Sequence, residues 1–162
     1  TDSAEFIELF NGTAATISLA DYRVVLVNGE NDMPYRTFSL GDAGVLAPGE
    51  FLVLASAATL ASVPASAKKL AVTPATNLIQ NGPDAVALVE GAQQTVVDSM
   101  TYGGDVEWNG ASLTEGAGST AALLDDASDA GCLARVPNGV DTDQTASDWV
   151  FTSHTPGRAN LP

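Results

Sequence analysis

The sequence predicts an all-β fold, a sandwich or a barrel of short strands, on the basis of two observations. First, several short runs are rich in Val, Ile, Phe and Tyr, and Thr95–Tyr102 alternates as a strand should, because successive strand side chains point to opposite faces. Second, turn dipeptides such as Asn11-Gly12, Pro48-Gly49 and Asn81-Gly82 separate the runs. This spacing predicts two packed antiparallel sheets with almost no helix.

The same signals place the individual elements. The predicted strands are Glu5–Phe10, Tyr22–Asn28, Phe51–Ala55, Ala85–Glu90, Thr95–Tyr102, Cys132–Val136 and Asp148–Thr152. Ala55–Ala67 is rich in Ala and Ser, which predicts one short helix or a long loop. Gly110–Asp129 is small, polar and acidic, which predicts an extended surface loop. No linker divides the chain, so residues 1–162 are predicted to form a single domain.

Charge and cysteine content limit the partners and the kinds of site that the chain can have. The chain has 6 Lys and Arg against 20 Asp and Glu, a net charge of −14 at pH 7. Such a surface repels nucleic acids and anionic lipids and is typical of a well-solvated extracellular protein. No apolar run reaches the ~18 residues that suggest a membrane span. Cys132 and His154 are the only residues of their kinds, which excludes an intrachain disulfide and a structural zinc site built from four Cys or His ligands.

A series of short phrases runs in order along nearly the whole chain. They are Glu5-Phe6-Ile7-Glu8-Leu9 with Asn11; Leu19 to Tyr22; Leu46-Ala47-Pro48-Gly49-Glu50-Phe51; Asn81-Gly82-Pro83-Asp84-Ala85-Val86-Ala87-Leu88; Val97-Asp98-Ser99 with Tyr102-Gly103; and a closing set of Arg135, Asn138-Gly139, Asp141-Thr142-Asp143, Asp148-Trp149 and Thr155-Pro156-Gly157 with Asn160. Each phrase alone has little specificity. Their order and spacing together resemble the lamin tail domain family.

The resemblance implies an immunoglobulin-like antiparallel β-sandwich that is a non-catalytic binding or structural module. Such domains occur in nuclear lamins and as modules appended to bacterial secreted proteins, including nucleases and other hydrolases. We expect the bacterial setting and an extracellular or cell-surface location, because no coiled-coil heptads precede the domain and the chain is acidic. Proteins and carbohydrates are the expected classes of partner.

One departure from the family pattern concerns a sheet edge. Lamin tail domains usually begin with a further short strand, whereas only Thr1-Asp2-Ser3-Ala4 precede Glu5–Phe10 here. Without that strand, the neighbouring edge exposes unpaired N–H and C=O groups, and such an edge accepts an added strand. Upstream residues, a partner peptide or a second copy in a dimer would fill it; the alternative is that the edge stays solvated.

Asp141, Asp143 and Asp148 form the strongest chemical cluster. An Asp-x-Asp-x-Thr run supplies the oxygen ligands that Ca²⁺ favours, and a calcium-stabilised adhesion domain is therefore the alternative function. The EF-hand glycine is absent, since Ala146 stands in its place. The same side chains can instead cap turns and a short helix, so both interpretations stay open, and no other cofactor is expected.

Trp108 and His154 are the remaining candidates. Trp108 lies near a Gly-Gly turn, where an exposed ring would contact carbohydrate or protein; packing under a loop is the alternative. His154 beside Ser153 suggests a hydrolase triad on paper, but the Gly-x-Ser-x-Gly nucleophile elbow is absent. We therefore assign no catalytic residue, and a small secreted hydrolase ranks third.

We predict that the domain does not bind DNA. A net charge of −14 leaves too few cations to displace counterions from phosphates, and Lys68-Lys69 is the one basic pair in the sequence. A gel-shift assay at low salt should show no complex. A complex that weakens steeply as salt rises would contradict the prediction.

Overall fold

A computed structural model describes residues 2–124 and 131–161 of the chain. In these ranges short strands predominate. They are β1 (Phe6–Phe10), β2 (Ile17–Ser18), β3 (Tyr22–Asn28), β4 (Met33–Ser39), β5 (Val45–Leu46), β6 (Phe51–Ala55), β7 (Lys68–Ala71), β8 (Asp84–Glu90), β9 (Thr95–Tyr102), β10 (Glu107–Trp108), β11 (Ala111–Ser112), β12 (Cys132–Arg135) and β13 (Trp149–Thr152). The helices there are single turns, α1 (Ala57–Leu60) and α2 (Thr145–Asp148), with a 3-10 turn at Gly41–Ala43. Neither helix is long and apolar enough to cross a membrane.

Two main sheets pack face to face. One is antiparallel with the strand order β4-β3-β8-β9, and the other has the order β1-β6-β7. Their inward side chains meet in one core, which includes Val24 and Leu26 of β3 and Leu52 and Leu54 of β6. The predicted all-β, immunoglobulin-like sandwich is therefore confirmed.

One strand pair corrects the expectation that both sheets are antiparallel. β7 runs parallel to β6, with Leu54 opposite Leu70. A parallel pair needs a crossover connection of about a dozen residues, and residues 56–67 provide it. Ser56 begins α1 within this crossover, because its Oγ accepts a hydrogen bond from Thr59 N at 3.2 Å. The Ala- and Ser-rich segment thus contains the short helix and returns the chain to the same end of the sheet.

Both faces of β3 are buried, which explains its unbroken apolar run. Val24 and Leu26 face the core between the sheets. Val25 and Val27 point the other way, into a second cluster that contains Trp108. The segment after β9 therefore covers the outer face of the four-stranded sheet.

All the predicted strands occur, but six strands were missed: the longer edge strands β4 and β7, and the two-residue strands β2, β5, β10 and β11. β4 contains Pro34 and lies at the edge of its sheet, a position at which a strand tolerates proline. β7 begins with Lys68 and Lys69 and lies at the edge of the other sheet. Neither strand has the apolar alternation that marks a half-buried strand in a sequence.

The predicted surface loop Gly110–Asp129 is more ordered than expected. Ala111–Ser112 pairs with Glu107–Trp108, and Leu113 and Thr120 are buried. Its residues 125–129 lie outside the described ranges.

The buried amide of Asn11 fixes the end of β1. Its Nδ2 donates to the carbonyls of Ala15 and Leu46 at 2.8 Å each. Its Oδ1 accepts hydrogen bonds from the backbone N and the Oγ1 of Thr13. One side chain thus connects the turn after β1 to β5.

We predict that Asn11→Ala lowers the free energy of unfolding by about 2 kcal/mol, because it leaves the buried Leu46 carbonyl without its hydrogen bond. Urea unfolding measures the change. Asn31→Ala is the matched control, since the Asn31 side chain is exposed and accepts from Met33 N in a surface turn; its effect should stay within about 0.5 kcal/mol. Equal losses in the two variants would contradict the prediction.

Candidate binding cleft

A cleft of 340 Å³ opens between β1 and β12. β1 lines one wall and β12 lines the other. Val86 and Leu88 of β8 and Met100 of β9, which belong to the opposite sheet, form an apolar floor. The volume lies in the ~300–1,000 Å³ range of ligand pockets.

The cleft-side edge of β1 is open. Among the described residues β1 pairs only with β6. Asn11, directly after β1, donates from its N to Glu50 O and accepts at its O from Gly49 N, so its backbone faces β6. Hydrogen-bonding direction alternates along an antiparallel strand. The N–H and C=O groups of Phe6, Glu8 and Phe10 therefore point away from β6, towards the cleft.

β12 contributes a second open edge. In the described ranges its one strand partner is β13, with Cys132 opposite Thr152 and Arg135 opposite Trp149. The β12–β13 hairpin is joined by strand pairing to neither main sheet. The cleft thus has a strand edge on each side and an apolar floor, which is the arrangement that accepts an extended chain by strand addition.

Glu8 is a half-buried carboxylate in the cleft wall. Its Oε2 accepts a hydrogen bond from Gly157 N at 2.6 Å. Burial raises the pKa of Glu8 to about 7, and the Gly157 hydrogen bond offsets part of that rise. No Lys, Arg or His in residues 2–124 and 131–161 forms a salt bridge with Glu8. Its negative charge is therefore poorly compensated.

Cys132 faces the same cleft from β12. Its side chain is half-buried, and burial together with the charge of Glu8 raises the pKa of the thiol to about 11. At neutral pH the group is a thiol, whereas cysteine nucleophiles act as thiolates. Cys132 serves here as a wall residue.

The buried Arg135 attaches β12 to the rest of the domain. Its guanidinium makes a bidentate pair with Asp98 of β9 at 3.0 Å for each hydrogen bond. It also contacts the carboxylates of Glu115 and Asp141 at 3.2 Å, and it lies over the Trp149 ring with 4.9 Å to the centroid. Its contacts with Asp98 and Glu115 therefore help to fix the position of the β12 wall, together with the backbone and side-chain hydrogen bonds between Glu115 and Thr145.

Among the described residues, the three carboxylates around Arg135 form the group that could hold a metal ion. Oxygens of Asp98, Glu115 and Asp141 lie within 4.8 Å of one another. Arg135 already contacts all three, so it supplies the positive charge that a metal would bring. Burial, followed by the nearby Asp98 carboxylate, raises the pKa of Glu115 to about 7, and burial also raises that of Asp98. One guanidinium thus balances three carboxylates incompletely.

The predicted calcium ligands Asp141 and Asp148 make hydrogen bonds and an ion pair with neighbouring protein groups. Asp148 accepts hydrogen bonds from Thr142 N and Oγ1 and from Gln144 N, and these bonds lower the pKa of its exposed carboxyl. Asp141 accepts from Asp143 N through Oδ1 and pairs with Arg135 through Oδ2. These hydrogen bonds stabilise turns, as the capping interpretation expects, whereas the N-cap residue of α2, Gln144, makes no side-chain cap hydrogen bond. A calcium site at Asp141, Asp143 and Asp148 stays a prediction.

The structure corrects the expectation for Trp108 as an exposed contact residue. Trp108 is 6% exposed because it packs beside Val25 and Val27 on the outer face of β3. Its role is therefore to pack the segment after β9 onto the four-stranded sheet. His154 lies at the margin of the cleft, and no hydroxyl or thiol of the described residues hydrogen-bonds to it, so the triad is not assembled there.

Sequence reasoning missed Glu8, Asp98 and Glu115. Glu8 shares a strand face with Phe6 and Phe10, and two aromatic neighbours on one face are the local sign that the face is covered. Its actual contact, Gly157, lies at the other end of the chain. Likewise, nothing in the local sequence around Asp98 or Glu115 indicates Arg135.

The sequence profile of one family, described as Lamin Tail Domain, matches residues 1–104. The matched part contains β1 to β9 and therefore both main sheets. No curated protein and no solved structure shows significant similarity to the chain.

We predict that the domain becomes more stable as pH falls from about 8 to about 5.5. The pKa values of Glu8 and Glu115 are raised from 4.5 to about 7, so between these values the folded state binds protons that the unfolded state has released. The stability that these two groups contribute is then full below about pH 4.5 and is lost as pH rises through 7. The melting temperature should rise by a few degrees over this window.

Glu8→Gln should weaken this pH dependence and leave the part that comes from Glu115, whereas Glu30→Gln, which removes the same charge at an exposed turn, should leave the dependence unchanged. Differential scanning calorimetry measures both. A melting temperature that rises with pH across the window would contradict the assignment.

We also predict that Arg135→Met destabilises the domain by about 3 kcal/mol, because it leaves partly buried carboxylates without their cation. Arg158→Met, at an exposed position, is the matched control and should change stability by less than about 0.5 kcal/mol. Urea unfolding of the two variants makes the comparison. An Arg135 effect as small as the control would show that the cluster does not hold β12.

Proposed function

Because the chain belongs to the lamin tail domain family, a family of non-catalytic immunoglobulin-like domains, we propose that it is a protein-binding module of a larger secreted or cell-surface protein. Its binding site is the cleft between β1 and β12, and its ligand is an extended segment that joins the sheet as an added strand. The domain itself binds the ligand, and any catalysis is carried out by an enzyme to which the domain is appended.

The open edge of β1 is the observation that carries this proposal. The outward N–H and C=O groups of Phe6, Glu8 and Phe10 meet a cleft with an apolar floor. Main-chain hydrogen bonds to such an edge supply affinity, and alternate side chains of the added strand enter the floor. Pairing also covers an edge that would otherwise promote aggregation.

A protein ligand fits the cleft better than a carbohydrate. The strand edges of β1 and β12 offer main-chain groups that match an extended peptide. Trp108, the residue expected to contact carbohydrate, is not among the residues that line the cleft and is buried. The net charge of −14 and the absence of a possible intrachain disulfide are compatible with a solvated extracellular domain of this size.

A calcium-stabilised adhesion domain is the weaker alternative. The described contacts of Asp141 and Asp148 are backbone N–H groups, a hydroxyl and the Arg135 guanidinium. Each of these already stabilises a carboxylate that calcium would otherwise neutralise.

A neutral synthetic peptide, in which Val alternates with Ser over about the length of β1, tests the proposal. Its binding should slow alkylation of Cys132, the single cysteine of the chain, because that thiol lines the cleft. Glu8→Pro should weaken binding at least about tenfold, since it removes one outward N–H group.

Glu8→Gln is the matched control, because it keeps the backbone N–H and should keep the affinity for the neutral peptide. Ile7→Pro is the opposite control: its N–H faces β6, so this variant should lower stability instead. Unchanged peptide affinity in a folded Glu8→Pro variant, or no protection of Cys132, would overturn the proposal.

A further inference from the structure

The Glu8 side chain would lie next to a side chain of any strand that is added at the edge of β1. Ile7 and Leu9 point into the core between the sheets, while Phe6 packs on the opposite face. Strand side chains alternate, so Glu8 lies on the face of Phe6. In an antiparallel pair, the residue directly opposite places its Cβ about 4.5–5.5 Å away on the same face. The strand residue opposite Glu8 would therefore sit beside its carboxylate.

The cleft has a surplus of negative charge at this position. Asp98 in the cleft lining is paired with Arg135, and the Glu5 carboxylate accepts hydrogen bonds from Leu78 N and Ile79 N. Glu8 has one hydrogen bond, from Gly157 N, and no salt bridge within the described residues. A partly desolvated carboxylate in this state is stabilised by an opposite charge.

We propose, resting on the proposed function, that the cleft selects a partner segment in which a Lys or Arg stands opposite Glu8 and is flanked by apolar residues. The basic side chain pairs with the Glu8 carboxylate on the outer face of the sheet. The apolar neighbours point inward, onto the floor formed by Val86, Leu88 and Met100. The occupant is therefore a basic, alternating strand of another protein.

A second copy of the chain is a poorer occupant. Pairing β1 with β1 of another copy would bring Glu8 side chains into neighbouring positions, and like charges across a strand pair are destabilising. It would also join two bodies that each carry a net charge of −14. A partner of opposite charge meets neither cost and gains from long-range attraction.

Three peptides of one length separate the contributions: Val alternating with Lys, with Ser and with Glu. At about pH 8, where Glu8 is mostly ionised, the Lys peptide should bind roughly fivefold more tightly than the Ser peptide, and the Glu peptide more weakly than both. Isothermal titration gives the affinities, and protection of Cys132 from alkylation shows that each peptide occupies the cleft.

Glu8→Gln should remove the advantage of the Lys peptide over the Ser peptide, while Glu30→Gln should keep it. This pair of variants separates a contact at Glu8 from general attraction to an acidic protein, because each loses one charge. If Lys and Ser peptides bind wild type equally, or if both variants lose the preference alike, the charge selection is overturned while strand binding stands. If no peptide protects Cys132, the proposed function itself fails.

Discussion

The pairing of Arg135 with carboxylates from three segments is the interaction on which the geometry of the cleft depends. The β12–β13 hairpin makes no strand pairing with either main sheet in the part of the chain that the structure describes. Its attachment comes instead from the bidentate contact of Arg135 with Asp98, the contact of Arg135 with Glu115, and the hydrogen bonds between Glu115 and Thr145. The contacts of Arg135 with Asp141 and Trp149 lie within the β12–β13 unit and hold it together. A planar guanidinium is suited to this task because its five donors are fixed in direction. The wall of the cleft is therefore held electrostatically, beside a core that is held by apolar packing.

This construction explains why the domain keeps partly buried acid groups that cost stability. Glu115 and Asp98 share one cation with Asp141, and burial raises the pKa of Glu115 and Asp98. Glu8 is also half-buried, with one N–H donor from Gly157 as its compensation. Apolar residues at such positions would commonly be as stable or more stable. Of these acid groups, Glu8 and Asp98 line the cleft, where they suit the cationic partner that we propose.

Sequence reasoning was most successful where the causes of structure are local. β3, β6 and β9 were predicted with their observed ends, because β-branched runs bounded by turn residues are local signals. β4 and β7 were missed, since edge strands carry fewer apolar residues and tolerate the Pro34 that argues against a central strand.

The site was predicted less well, because its contacts join residues distant in sequence. The open edge beside β1 was expected, but the second edge at β12 and the acid groups between the two were not. Glu8 and Gly157 are almost a chain length apart, and Asp98 meets Arg135 only after two strands have packed. Trp108 shows the same limit: its flanking residues left exposure and packing both open, and only the structure shows that it packs on the outer face of β3.

Amide hydrogen exchange in β1, followed by NMR on the isolated domain, tests most directly whether this edge is open. The N–H groups of Ile7 and Leu9 face β6 and should be protected, whereas those of Phe6, Glu8 and Phe10 face the cleft and should exchange at least about tenfold faster. Uniform protection of all five amides would show that the edge is already paired and would contradict strand addition at this site.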